Sequence, residues 1–123
     1  MKALAVTALL MCLVACDATE ALEAGTVTAT ISAEGVELNN GLARSVHVFP
    51  VGANTAAVIN WAPNITNENA IAGRSSRTYA LEDLYSIEGE EVLIVYWWYA
   101  VHRNGKLGPS DVQSFELSIP DDL

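Results

Sequence analysis

The 123-residue chain has no cysteine after Cys16, no methionine after Met11, and two histidines, His47 and His102. Everything beyond residue 16 is therefore without a disulfide, a thiol nucleophile or a soft thioether ligand. No Gly-x-Ser-x-Gly elbow occurs, and Ser110-Asp111 follow His102 only across the Asn104-Gly105 turn, so a nucleophilic triad has no sequence support. Basic side chains are also scarce, six against fifteen acidic ones for a formal net charge of −9. Such an excess disfavours nucleic acid and bare anionic lipid as partners and favours solubility. No cofactor motif, internal repeat or low-complexity segment is present.

What the chain does have is the run Val92 to Val101, Val-Leu-Ile-Val-Tyr-Trp-Trp-Tyr-Ala-Val, which carries four of the nine aromatic residues and ends at the Asn104-Gly105 turn. Ten uncharged residues rich in β-branched and aromatic types predict a strand covered on both faces, which requires two packed layers. Shorter strands are expected around it. Val27, Ala29 and Ile31 alternate with Thr and Ser, Val36 to Asn39 follows the Glu34-Gly35 turn, and Asn39-Asn40-Gly41 signals the next turn. Ser45 to Val51 is a third strand in which His47 and Phe49 share a face, with Pro50 expected at an edge or an end. Ala56 to Trp61 is expected as a fourth, then a loop from Asn64 to Ser76, then strand and turn over Arg77 to Leu84. Phe115, Leu117 and Ile119 alternate with polar residues in the last strand. Six to seven short strands in about 100 residues predict an all-β antiparallel sandwich, immunoglobulin-like or fibronectin-III-like, over residues 26–123.

The N-terminus reads differently. Met1-Lys2 precedes an apolar run from Ala3 to Ala15, too short for a bilayer span of about 20 residues and suited to a signal helix. It ends in Leu13-Val14-Ala15-Cys16, which resembles the lipobox of bacterial lipoproteins. That resemblance implies a signal peptide over 1–15, cleavage after Ala15, and acyl chains on Cys16 that anchor the protein to the membrane. Two or more chains give stable anchoring where one does not. It also implies a place in the bacterial cell envelope on the extracytoplasmic side. An Asp after the lipidated cysteine, here Asp17, marks inner-membrane retention in some bacteria; inner and outer membrane both stay open. Residues 16–25 are then the lipidated cysteine and a flexible tether, of which the eight residues Asp17 to Ala24 reach roughly 15 Å. Losing Lys2 leaves five bases against fifteen acids, a net charge of −10.

The span Thr78 to Val101 resembles the fibronectin-III pattern of a strand, a leucine, a glycine-containing turn and a long strand, through Leu81, Leu84, Gly89 and Val92 to Val101. Val92 stands where that family usually carries its corner tyrosine. Residues 38–41, 73–84 and 89–92 are also similar to a periplasmic copper-chaperone sandwich, whose Cu(I) ligands are Met and His; the lack of methionine after Met11 leaves the domain without such a site.

The sequence thus points to a non-enzymatic binding or structural accessory module. Its partners are the membrane through Cys16 and an envelope protein or glycan, with no nucleic acid, metal or cofactor. If the central strand is regular, Tyr96, Trp98 and Ala100 share one face and Trp97, Tyr99 and Val101 the other. One face fills the core, and the other is covered by the Asn64 to Ser76 loop or forms a stacking platform for sugar or protein. Trp97 and Tyr99, with Arg74 and Arg77 beside Ser75-Ser76 as anion-receiving groups, are the candidate binding surface. The alternatives are a carbohydrate-binding module using exposed aromatics, and a small metal carrier or envelope enzyme using His47 and His102. Glu88, Glu90 and Glu91 form an acidic turn expected to be solvated.

Overall fold

A computed structural model describes residues 26–85 and 87–123; the expected signal helix, Cys16 and the tether lie outside the described residues. Seven strands build two antiparallel sheets. In the first, β1 (Val27–Ser32), β2 (Gly35–Asn40) and β5 (Ser76–Tyr79) lie in the order β1-β2-β5; in the second, β4 (Ala70–Ile71), β3 (Val46–Gly52), β6 (Val92–Trp98) and β9 (Gln113–Ser118) lie in the order β4-β3-β6-β9. Because β4 joins β3, it does not complete the first sheet as the fourth strand of an immunoglobulin constant-type sandwich does. The result is an antiparallel β-sandwich of a three-stranded and a four-stranded sheet.

Alternation decides what lies between the sheets. Val27, Val36 and Leu38 from the first sheet meet Val46, Val48, Ile71, Leu93 and Val95 from the second, with Leu84 closing one end. Leu38, Leu93 and Val95 are fully buried. Complete burial of such side chains contributes about 1.5–3 kcal/mol each. In β6 register puts Leu93, Val95 and Trp97 on this inner face, opposite Leu117, Phe115 and Gln113 of β9. Pro50 sits within β3, opposite Val95 of β6. β4 pairs only with Val46 and His47, so Pro50 interrupts no β3–β4 pair.

Two expectations are corrected. The strand expected from Val92 to Val101 stops at Trp98: β9 begins only at Gln113, opposite Trp97, and the register with β3 ends at His47 opposite Trp98. Tyr99 instead exchanges main-chain contacts with Ser110, whose N–H donates to the Tyr99 carbonyl at 2.7 Å. The chain then pairs with itself as a separate hairpin, β7 (Ala100–Arg103) with β8 (Lys106–Pro109). Residues Ala56 to Trp61 form no strand. A single helical turn, α1 (Ala53–Ala56), leaves β3, and an irregular crossover follows, since no strand edge is offered to it.

Polar groups fasten the ends. Asn40 ends β2 fully buried, its amide donating to the carbonyls of Arg44, Ile71 and Ala72 at 2.8–3.1 Å while its oxygen accepts from the Leu42 N–H at 2.9 Å. The β2–β3 and β4–β5 turns are thereby locked together. Along one open seam, Arg77 of β5 donates to the carbonyls of Glu68 and Ala70 beside β4, at 3.0 and 3.2 Å. Gly35 begins β2 with φ of 135°, where a Cβ would strike the Tyr79 carbonyl. No helix among the described residues is long and apolar enough to cross a membrane.

Candidate functional site

The outer face of the four-stranded sheet carries the most unusual surface. Register sets His47 beside Trp98 and Phe49 beside Tyr96, all four on the side away from the core. Over them lies the crossover from α1 to β4, which contributes Trp61. The Trp61 ring sits 4.9 Å from Phe49, 4.7 Å from Tyr96 and 5.7 Å from Trp98, centroid to centroid and tilted in each case. Tilted pairs at these spacings add about 0.5–1.5 kcal/mol each beyond area burial.

The crossover is pinned at both ends. At its start the Glu90 carboxylate accepts from the N–H groups of Asn54 and Thr55 at 2.8 and 3.0 Å and from the Thr55 hydroxyl at 3.0 Å. These are donors in the first turn of α1, and Gly52 before them offers no side chain to cap them. A Cβ at Gly52 would collide with the Glu90 side chain, so glycine is what lets the carboxylate reach across. Chiefly the Asn54 N–H, with the two Thr55 groups adding to it against partial desolvation, holds the Glu90 carboxyl below its ordinary range. At the far end the Trp98 indole N–H donates to the Asn64 carbonyl at 2.7 Å. His47 Nδ1 lies 3.1 Å from both the Thr66 carbonyl and Asn69 Oδ1. Two acceptors around one nitrogen assign it the proton. The Asn64 end of the loop thus covers Trp98, which is 1% exposed.

Between sheet and crossover remains a cleft of about 170 Å³ lined by Phe49, Trp61, Ala62, Asn64, Asn69 and Trp98. Its lining is of rings, Ala62 and neutral amides, groups that stack and hydrogen-bond.

The residues singled out in sequence do not meet. Trp97 faces inward, packs on the core and lines a groove of about 430 Å³ along the seam between β1 and β9. Tyr99 lies at the end of β6 with the Arg44 guanidinium 4.3 Å above its ring. Arg74 is exposed in the β4–β5 turn with φ of 58°. Arg77 stacks 4.9 Å over Tyr79, whose hydroxyl is buried without a hydrogen-bond partner; burial pushes that phenol up, and Arg77 opposes the shift. His47 lies under the crossover and His102 is exposed on the β7–β8 hairpin. Among the described residues no three metal-binding side chains form a group. The Ser110 hydroxyl accepts from the Tyr99 N–H at 3.0 Å and donates to the Asp111 carbonyl at 3.0 Å, a structural role.

Only half of the aromatic set is legible in the sequence. Pairing His47 with Phe49, and Tyr96 with Trp98, follows from alternation, whereas nothing local to Trp61 shows that it folds back over them. Comparison with protein-family models, with curated proteins and with solved structures finds no match to this chain.

Proposed function

We propose that the chain is a lipid-anchored domain of the bacterial cell envelope that works by binding or as a structural accessory, without catalysis. The observation that carries the non-catalytic part is the use made of reactive side chains. The Nδ1 of His47, the Ser110 hydroxyl and the Glu90 carboxylate each bond to main chain and hold it in place. The anchor rests on Leu13-Val14-Ala15-Cys16. Replacing Cys16→Ser is expected to abolish incorporation of labelled fatty acid and to release the protein from the membrane fraction. Acylation that persists in that variant refutes the anchor.

A second reading is favoured by the cleft beside Trp61. An aromatic ring next to the amides of Asn64 and Asn69 suits a neutral sugar, whose C–H face stacks while its hydroxyls bond to amides. Titration with neutral envelope glycans is expected to shift the tryptophan fluorescence of the native protein and not of Trp61→Phe. An unchanged spectrum across the glycan panel removes this reading.

A further inference from the structure

Charge is sorted along the long axis of the sandwich. Three connections meet at one end: the β2–β3 turn, the β4–β5 turn and the β7–β8 hairpin. The Arg74 N–H donates to the Leu42 carbonyl at 2.9 Å, and Arg44 lies over Tyr99, from which the hairpin departs. That end carries Arg44, Arg74, Arg103 and Lys106, all exposed and four of the six bases in the whole chain. Its one acid among the described residues is Asp111, 3.8 Å from Arg103 in an exposed pair. The opposite end gathers Glu34 from the β1–β2 turn, Glu82, Asp83, Glu88, Glu90 and Glu91 from the β5–β6 connection, and Asp121 and Asp122 beyond β9.

The chain enters the domain at the basic end. Val27 is paired with Asn40, and the Gly41 N–H donates to the Thr26 carbonyl at 2.9 Å. Only residues 17–25 separate Thr26 from the cysteine of the lipobox-like motif, and nine residues of random coil would average roughly 17 Å end to end. The basic end is therefore the one held near the lipid.

We propose that this loop end is a membrane-facing surface whose four cations lie on the anionic phospholipid headgroups of the anchoring bilayer. The inference rests on the anchor reading above. Net charge alone argues for repulsion, but distance decides the sign. A seven-residue strand such as β3 is about 23 Å long, so the acidic pole stands well beyond the screening length of about 8 Å at physiological ionic strength. Cations at the surface feel the headgroup field, while the acids of the far pole, about three screening lengths away, do not; Glu37, Glu68 and Glu116 lie between the two poles. Residues 17–25 themselves carry three acids, Asp17, Glu20 and Glu23. An informative experiment must therefore read the position of each pole and not overall binding.

The acylated full-length product is reconstituted into phosphatidylcholine vesicles with or without phosphatidylglycerol, and a fluorophore is placed at Leu107→Cys on the hairpin or at Glu88→Cys on the acidic pole. A headgroup-attached quencher is expected to quench the Leu107 position several-fold more than the Glu88 position in anionic vesicles. The excess is expected to shrink in high salt, in phosphatidylcholine alone, and in the variant Arg103→Glu with Lys106→Glu, whose exposed positions leave the core intact. Equal quenching at the two poles overturns the proposal. So does an excess that ignores lipid charge and salt, because the tether alone then orients the domain. Fatty-acid labelling of the same preparation separates the two ideas: an unlabelled chain refutes the anchor and this proposal with it, whereas a labelled chain without the charge-dependent excess refutes only the orientation.

Discussion

The two faces of the four-stranded sheet are built on different physics. The inner face is aliphatic at its centre, where Leu93, Val95 and Val48 pack in the core, with Trp97 and Phe115 at its margin. Packing of this kind is non-directional and holds wherever volumes fit. The outer face is aromatic and is closed by a crossover with no regular structure of its own over residues 57–66. Irregular backbone cannot satisfy itself, so directional bonds from Glu90, Trp98 and His47 fasten it. One strand, β6, thus serves a core on one side and a pinned cover on the other. The inner face sets global stability, and the outer face sets whether the cover stays closed.

That contrast yields ordered expectations. Leu93→Ala is expected to lower unfolding free energy by about 3–4 kcal/mol, read from the denaturant midpoint. A loss no larger than that of any outer-face change breaks the contrast. Trp61→Ala is expected to cost about 2 kcal/mol, less than a buried ring because Trp61 is only half-buried. Its distinguishing sign is proteolysis within residues 57–69 while the rest of the domain stays resistant. His47→Phe keeps a ring on Trp98 but removes the Nδ1 contacts, and is expected to cost about 1 kcal/mol. Hydrogen exchange around residues 64–69 is expected to accelerate before any global opening.

The smallest effect is at Glu90. Its carboxyl is held below the ordinary range in the folded state. The stabilisation is therefore complete above the ordinary carboxylate pKa and is lost as pH falls through the lowered folded value. Glu90→Gln is expected to flatten the acid limb of the stability profile and to leave the alkaline limb alone. An acid limb unchanged by the substitution shows that the carboxylate does not hold α1.

Much of this architecture is legible in the residues. Alternation in Val27 to Ser32 and in Phe115 to Ile119 predicts strands because a two-residue period has one physical reading, a half-buried pleat. The candidate surface is less legible. Trp97 and Tyr99 belong to the face opposite Trp98, but local sequence does not say which of the two faces meets the other sheet. Arg77 reads as a free anion receiver, yet it bridges two sheet edges, because its partners are carbonyls, which leave no mark in sequence. Ala56 to Trp61 carries a strand-like pattern and lacks only a neighbour to pair with.

By itself, then, the sequence determined a two-layer β domain without sulfur chemistry, a strongly acidic balance, and a lipobox-like start, because periodicity, composition and short motifs are local properties. Only the tertiary structure decided which side of Val92 to Trp98 became core, that Trp61 closes over the other side, and that the few bases gather where the chain enters. Those outcomes depend on register and on which turns share an end of the sandwich, and contacts between distant residues fix both.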